Sequence, residues 1–263
     1  MEELREMSVY VDGKKIAKEL HIKLKGRATM CLRPDYWILD IYSLSGYEDF
    51  LIRNAKEIWV CGHGGSELCR GNVEDLYVYY EGIKHITRVT ICDGGNFWES
   101  SVSLSMASGT RMGQAIRTMI ARCSYPVKIA SYQADEAIFF RGQVFHGRTV
   151  SYLADMAKSV SARVFLTRGA IAVFGKGKTA SVVKLKSDGG LVETSNTNKA
   201  VIARLSVIQG FAIGQLVELP DDSKRYRLIC QSIDVDNKEG AWKTELLMVD
   251  EEQMSDDDWG GGM

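Results

Sequence analysis

Between Met7 and Gly95 apolar and polar residues mostly alternate with a period of two, the signature of half-buried β-strands. Ser8-Val9-Tyr10-Val11 runs into Asp12-Gly13, a hairpin turn dipeptide, and Leu20-His21-Ile22-Lys23-Leu24-Lys25 alternates strictly. The same pattern predicts strands at 37–42, 58–61, 67–80 and 85–92. So many strands in so short a stretch imply a barrel or sandwich. The period then changes: Met112, Ala115, Ile116, Met119 and Ile120 recur at helical spacing, with Ser108 or Thr110 placed to cap the first turn.

Beyond Pro126, strands at 127–130 and 137–140 lead to a helix opened by Thr149, with Val150, Leu153, Ala154 and Ala157 on one face. Arg168-Gly169 joins the apolar runs 163–167 and 170–174 as a tight turn. β alternation returns at 182–185, 200–207, 211–219, 226–235 and 242–249, with turn chemistry at Pro220-Asp221-Asp222-Ser223 and Asn237-Lys238-Glu239-Gly240. The expected layout is a first β module with its closing helix over 1–123, a small α/β domain over 124–178, a second β module over 179–250 and an acidic flexible tail over 251–263. No short-period repeat is visible, but two β modules of comparable size leave room for an old duplication.

Composition adds exclusions. Of 263 residues, 45% are hydrophobic and 25% charged, ordinary values that rule out disordered and fibrous classes. The net charge of -1 offers no overall basic field for nucleic acid and no polybasic membrane anchor. The first residues lack the apolar core of a signal peptide, and no apolar run approaches the roughly 18 residues of a membrane span. Cys31, Cys61, Cys69, Cys92, Cys123 and Cys230 form no CxxC pair, so buried reduced thiols are expected. The strongest local bias is Asp250-Glu251-Glu252 and Asp256-Asp257-Asp258 followed by Trp259, which makes Asp256, Asp257, Asp258 and Trp259 the candidate partner contact.

Three motifs touch catalytic chemistry. Residues 172–179, AVFGKGKT, fit a loosened nucleotide loop, but the residues that follow alternate like a strand, whereas a phosphate loop must open a helix. Gly62-His63-Gly64-Gly65-Ser66 has the glycines of an oxyanion loop without any G-x-S-x-G nucleophile elbow. Cys61, His63 and Cys69, with Cys92 as a fourth ligand, lack the close pairing of structural zinc sites. His21, His85 and His146 stand apart from any Cys or Ser partner, and Tyr77, Tyr79 and Tyr80 lie among acids rather than the bases that nucleic-acid stacking needs. No catalytic, cofactor or metal residue is assigned.

Leu68-Cys69-Arg70-Gly71-Asn72-Val73-Glu74, then 87–95 ending in Asp93-Gly94-Gly95, then Ser101-Val102-Ser103-Leu104-Ser105 and the Gly109-Thr110 helix, resemble in this order the first half of phage tail baseplate hub proteins. Residues 145–154 with 169–173 are similar to the family's small α/β domain, and 203–211, 214–219, Tyr226-Arg227-Leu228 and 242–246 to its closing strands. Ile208-Gln209-Gly210 departs from the family, many members of which carry prolines there.

The resemblance implies a mainly β fold with an α/β insert: two tube-like antiparallel β barrels flanking a small α/β domain. It implies a non-enzymatic homotrimer that adapts the six-fold tail tube to the three-fold spike. The implied partners are a tail tube or distal tube-ring protein, the central spike, baseplate wedge or adaptor proteins, and tape-measure protein in the lumen. The implied place is the baseplate of a virion tail assembled in a bacterial host's cytoplasm. Competing readings are a cell-wall hydrolase of the tail, a nucleotide-dependent motor and a monomeric glycan-binding β module.

Overall fold

The computed structural model describes residues 6–16, 20–178, 181–186, 190–196, 200–207, 209–220, 222, 224–238 and 243–254. The elements run β1 (Ser8–Val11), β2 (Lys14–Lys15), β3 (His21–Thr29), β4 (Tyr36–Tyr42), α1 (Gly46–Arg53), β5 (Glu57–Cys61), β6 (Glu67–Glu81) and β7 (Lys84–Cys92). Next come β8 (Ser101–Met106), α2 (Met112–Arg122), β9 (Lys128–Gln133), β10 (Gln143–Arg148), α3 (Thr149–Lys158), β11 (Ala162–Thr167) and β12 (Ala170–Gly175). The last are β13 (Val182–Lys184), β14 (Leu191–Asn196), β15 (Ala200–Leu205), β16 (Leu216–Glu218), β17 (Arg225–Asp236) and β18 (Lys243–Asp250).

The fold is mainly β. Among the described residues one 13-stranded sheet runs β14-β15-β18-β17-β3-β4-β7-β6-β5-β1-β2, with β16 beside β17 and β13 beside β16. Its ladders are antiparallel except β13 with β16. The sheet unites strands from both ends of the chain, because β3 pairs with β17 from Thr29↔Cys230 to Lys23↔Asp236.

Two cores lie along that shared pair. Ile22 and Leu24 of β3, with Ile233 and Val235 of β17, pack with Trp37, Leu39, Ile41, Val89 and Ile91 into the first core. Further along, Tyr226 and Leu228 join Ala203, Val217, Leu246 and Met248 in the other. A register shift between Leu228 and Cys230 moves the buried set of β17 from even to odd positions. The extra residue lets one strand keep its apolar side inward across both cores.

The α/β part has its own core, made by α2, α3, β8 and β10 against β11 and β12. Its three-stranded sheet sets β12 parallel to β9 and antiparallel to β11. Alternation divides the β11–β12 hairpin: Val164, Leu166, Ile171 and Val173 face the helices, whereas Phe165, Ala172 and Phe174 enter the core of the C-terminal strands. Both faces of this hairpin are therefore buried, as its continuous apolar runs require.

A junction fixes the hairpin to the large sheet. The Asp93 carboxylate, at the end of β7, accepts the amide N–H groups of Arg168 (2.8 Å) and Gly169 (2.5 Å) in the β11–β12 turn. The Leu166 amide donates to the Cys31 carbonyl at 2.9 Å. Nearby, the Gly210 amide donates to Ser66 Oγ at 3.1 Å. A Cβ on Gly210 would collide with the Glu67 carbonyl, so this close approach excludes any larger residue.

Several expectations change. Helix α1 interrupts the predicted run of strands; Ser45 caps it by a reciprocal box with Glu48, while Ile52 is its one buried residue. The strand expected over 211–219 shrinks to β16, because Phe211 and Ile213 enter the core from a loop and Gly214 turns the chain at φ 82°. Residues 137–140 make a single bridge, Ile138 to Arg111, rather than a strand. β10 and β14 are added to the prediction. Ser108 and Thr110 do not cap α2: their hydroxyls bond the carbonyls of Phe140 and Ala107. Glu136 instead accepts the Gly113 amide at 3.3 Å. Asp221, Ser223, Glu239, Gly240 and Trp242 lie outside the described residues.

Candidate assembly surfaces

On β4, Trp37, Leu39 and Ile41 point into the core, so Tyr36, Ile38, Asp40 and Tyr42 line the opposite face of the sheet. Arg88 stands across from Asp40 on β7. Its Nε and Nη2 donate to the two Asp40 oxygens at 2.5 and 2.6 Å, and its guanidinium lies over the rings of Tyr77 and Tyr79. This bidentate geometry gives directional charge-assisted bonds. Hydrogen bonding to Asp40 holds the Arg88 guanidinium above its ordinary range. Burial, reinforced by the Asp40 charge, pushes the Tyr79 hydroxyl up.

The lattice continues onto β3 and β17. His21 stacks on Tyr42 with ring centroids 4.0 Å apart, and its Nε2 lies 2.8 Å from Asp236. Lys23 approaches the same carboxylate at 3.4 Å, and its contact with Tyr42 raises its proton affinity. Cations and carboxylates are thus matched within the face, which presents ring edges and hydroxyls rather than one sign of charge.

The β6–β7 hairpin outruns its neighbours. β5 covers β6 only as far as Asn72, while β7 follows it to Glu81. Among the described residues no strand lies along the outer edge of 74–81. Tyr80 is 72% exposed and Ile83, at the tip, fully so. Such an edge is a template for a further strand.

The catalytic candidates resolve into structural roles. After the GKGK turn the chain forms strand β13, not a helix, and the Gly177 amide donates to Glu251 of this same chain at 3.1 Å. Ser66 Oγ bonds the His63 carbonyl at 2.9 Å, closing the glycine-rich turn. Cys61 and Cys69 are buried strand residues, and burial pushes both thiols up. Among the described residues no group of three or more His, Cys, Asp or Glu converges on a metal position. No helix there is long and apolar enough to cross a membrane. Asp256, Asp257, Asp258 and Trp259 lie outside the described residues. Sequence reasoning missed the unpaired hairpin edge, since strand length is readable locally but the shortness of a neighbour is not.

No family model matches the chain, and no curated protein is similar to it. Solved structures are. A tail protein from Neisseria meningitidis MC58 superposes with a TM-score of 0.65 at 13% identity, over 97% of this chain and 98% of that one. The 43 kDa tail protein of prophage MuSo2 from Shewanella oneidensis gives 0.68 at 12% identity, over 95% and 99%. The E. coli c3393 protein gives 0.62 at 6% identity, over 92% and 76%; it is described as a type VI secretion component structurally similar to T4 phage tail proteins gp27 and gp5. The chain therefore has the fold of phage and prophage tail proteins.

Proposed function

We propose that this chain is the structural hub of a phage or phage-like tail, a homotrimer that joins a six-fold tube to a three-fold spike. The observation that carries the reading is end-to-end superposition on two tail proteins, with both chains covered almost completely. The internal organisation is in keeping with it: two β cores lie along one sheet, and in this reading each backs a tube-like wall, so that three subunits offer six. In this reading the chain is not an enzyme. The outer edge of β6 at 74–81 meets a neighbouring subunit, and the charge-matched lattice around Asp40 and Arg88 lets tape-measure protein and DNA pass without sticking. The tube-ring protein, the spike and the baseplate adaptors are its partners, in a tail assembled in the bacterial cytoplasm.

The test is the solution mass of the full chain by light scattering, alone and mixed with the spike encoded with it. Three copies in either condition are expected. A chain that stays single in both at micromolar concentration would refute the trimer and favour a monomeric binding module.

A further inference from the structure

Residues 137–148 form a ledge that the hub reading leaves without a role. Phe139 packs against the core of the α/β part and Phe145 is buried within it, so alternation turns Ile138, Phe140 and Val144 outward, where they are 49, 87 and 75% exposed. Arg111, bridged to Ile138, and Arg141, next to Phe140, are both exposed beside them. The surrounding sequence is predominantly basic: from Ser100 to Ala154 there are six Arg or Lys and two acids, Asp135 and Glu136. Both acids are engaged, Asp135 with Lys178 at 3.6 Å and Glu136 with the Gly113 amide. A partner for this ledge needs a large apolar side chain next to several carboxylates.

The chain itself carries that combination just beyond the described residues, as Asp256-Asp257-Asp258-Trp259. A relay of contacts ties the point from which this segment leaves to the chain leading into the ledge. Arg227, fully buried, donates to Glu251 and to the carbonyls of Lys178 and Gly214, and the Gly177 amide bonds the same carboxylate. Met254 is buried in the core of the C-terminal strands. The 175–178 turn in turn lies against Ala134 and Asp135, three residues before Ile138. At about 3.4 Å per extended residue, Trp259 reaches roughly 17 Å beyond Met254 and the whole segment about 30 Å.

We infer that residues 255–263 dock on the ledge of their own chain, Trp259 covering Ile138, Phe140 and Val144 while Asp256, Asp257 and Asp258 face Arg111 and Arg141. Docking covers an apolar patch next to the edge of β10 along which no strand lies among the described residues, the kind of surface that otherwise invites association. Because the charged contacts are at the surface, salt weakens the docking.

The test uses the full chain labelled with 5-fluorotryptophan, with the Trp259 resonance assigned by W259F. Expected are a Trp259 signal shifted from the free amino acid and protected from iodide, and its return to the free position in Phe140→Ser and in Arg111→Glu/Arg141→Glu. The charge variant keeps every apolar contact of the ledge, and the remaining tryptophan signals report that either variant is folded. A Trp259 signal at the free position in the unmodified chain would overturn the proposal. So would a shift untouched by both variants, or one that vanishes on dilution, which would assign the segment to another copy.

Discussion

Burial pushes the Asp93 carboxyl up to about 7, although the amides of Arg168 and Gly169 pull the other way by bonding its charged form. A solvated carboxyl ionises near 4. The folded chain therefore keeps a proton through the window from about 4 to 7 that the unfolded chain has lost, and Asp93 contributes falling stability as pH rises across it. Replacing Asp93 with Asn removes the titration. The stability of the native chain relative to Asp93→Asn should fall between pH 4 and pH 8 by up to about 4 kcal/mol, at ~1.4 kcal/mol per unit, measured by urea unfolding at each pH. A difference flat with pH would mean that the two amides keep the carboxylate ionised throughout. Asp93 was visible in the sequence as part of an Asp-Gly-Gly turn; that its side chain closes another turn 75 residues away was not.

At the level of elements, steric room makes Gly210 the most exacting position. Gly210→Ala forces the 209–211 segment away from the Glu67 carbonyl and strains the Ser66 bond, and a loss of about 2 kcal/mol or more is expected from overpacking at a backbone contact. Thermal unfolding of the variant measures it. Turns and long periodic segments were legible for local reasons. Asp12-Gly13 and Arg168-Gly169 both adopt positive φ, at 44 and 90° and at 52 and 73°, as tight hairpins demand. The periodicity of α2 matched its buried face, and that of α3 matched at Val150, Leu153 and Ala157, with Met156 buried and Ala154 only half-buried. Helix α1 was missed because it is short and buries only Ile52, although Ser45-x-x-Glu48 is a capping-box signal. β14 was missed because little of it is buried and its middle, Val192 to Thr194, is exposed. Alternation marks a strand without naming its partner, so the pairing of β3 with β17 could not be read.

Across the whole molecule the three cores are tied in series. β3 and β17 serve both β cores, and the β11–β12 hairpin serves the α/β core and that of the C-terminal strands. One cooperative unfolding transition is expected, with circular dichroism and tryptophan fluorescence coinciding. Phe165→Ala, which empties a fully buried site at one of these ties, should cost about 3–5 kcal/mol of unfolding free energy and lower the midpoint without splitting the transition. Two separated transitions would show modules that fold independently.

The closure of β3 by β17 also sets a clock for synthesis. His21 and Asp236, which bond at one end of that ladder, are 215 residues apart. A ribosome adding about 5–20 residues per second needs roughly 10 to 40 s to deliver the second after the first. For that interval the nascent chain holds a finished strand with a vacant flank, and on a polysome identical vacant flanks sit side by side. Translation speed and chaperone supply therefore bear on the yield of soluble protein alongside the stability of the finished fold.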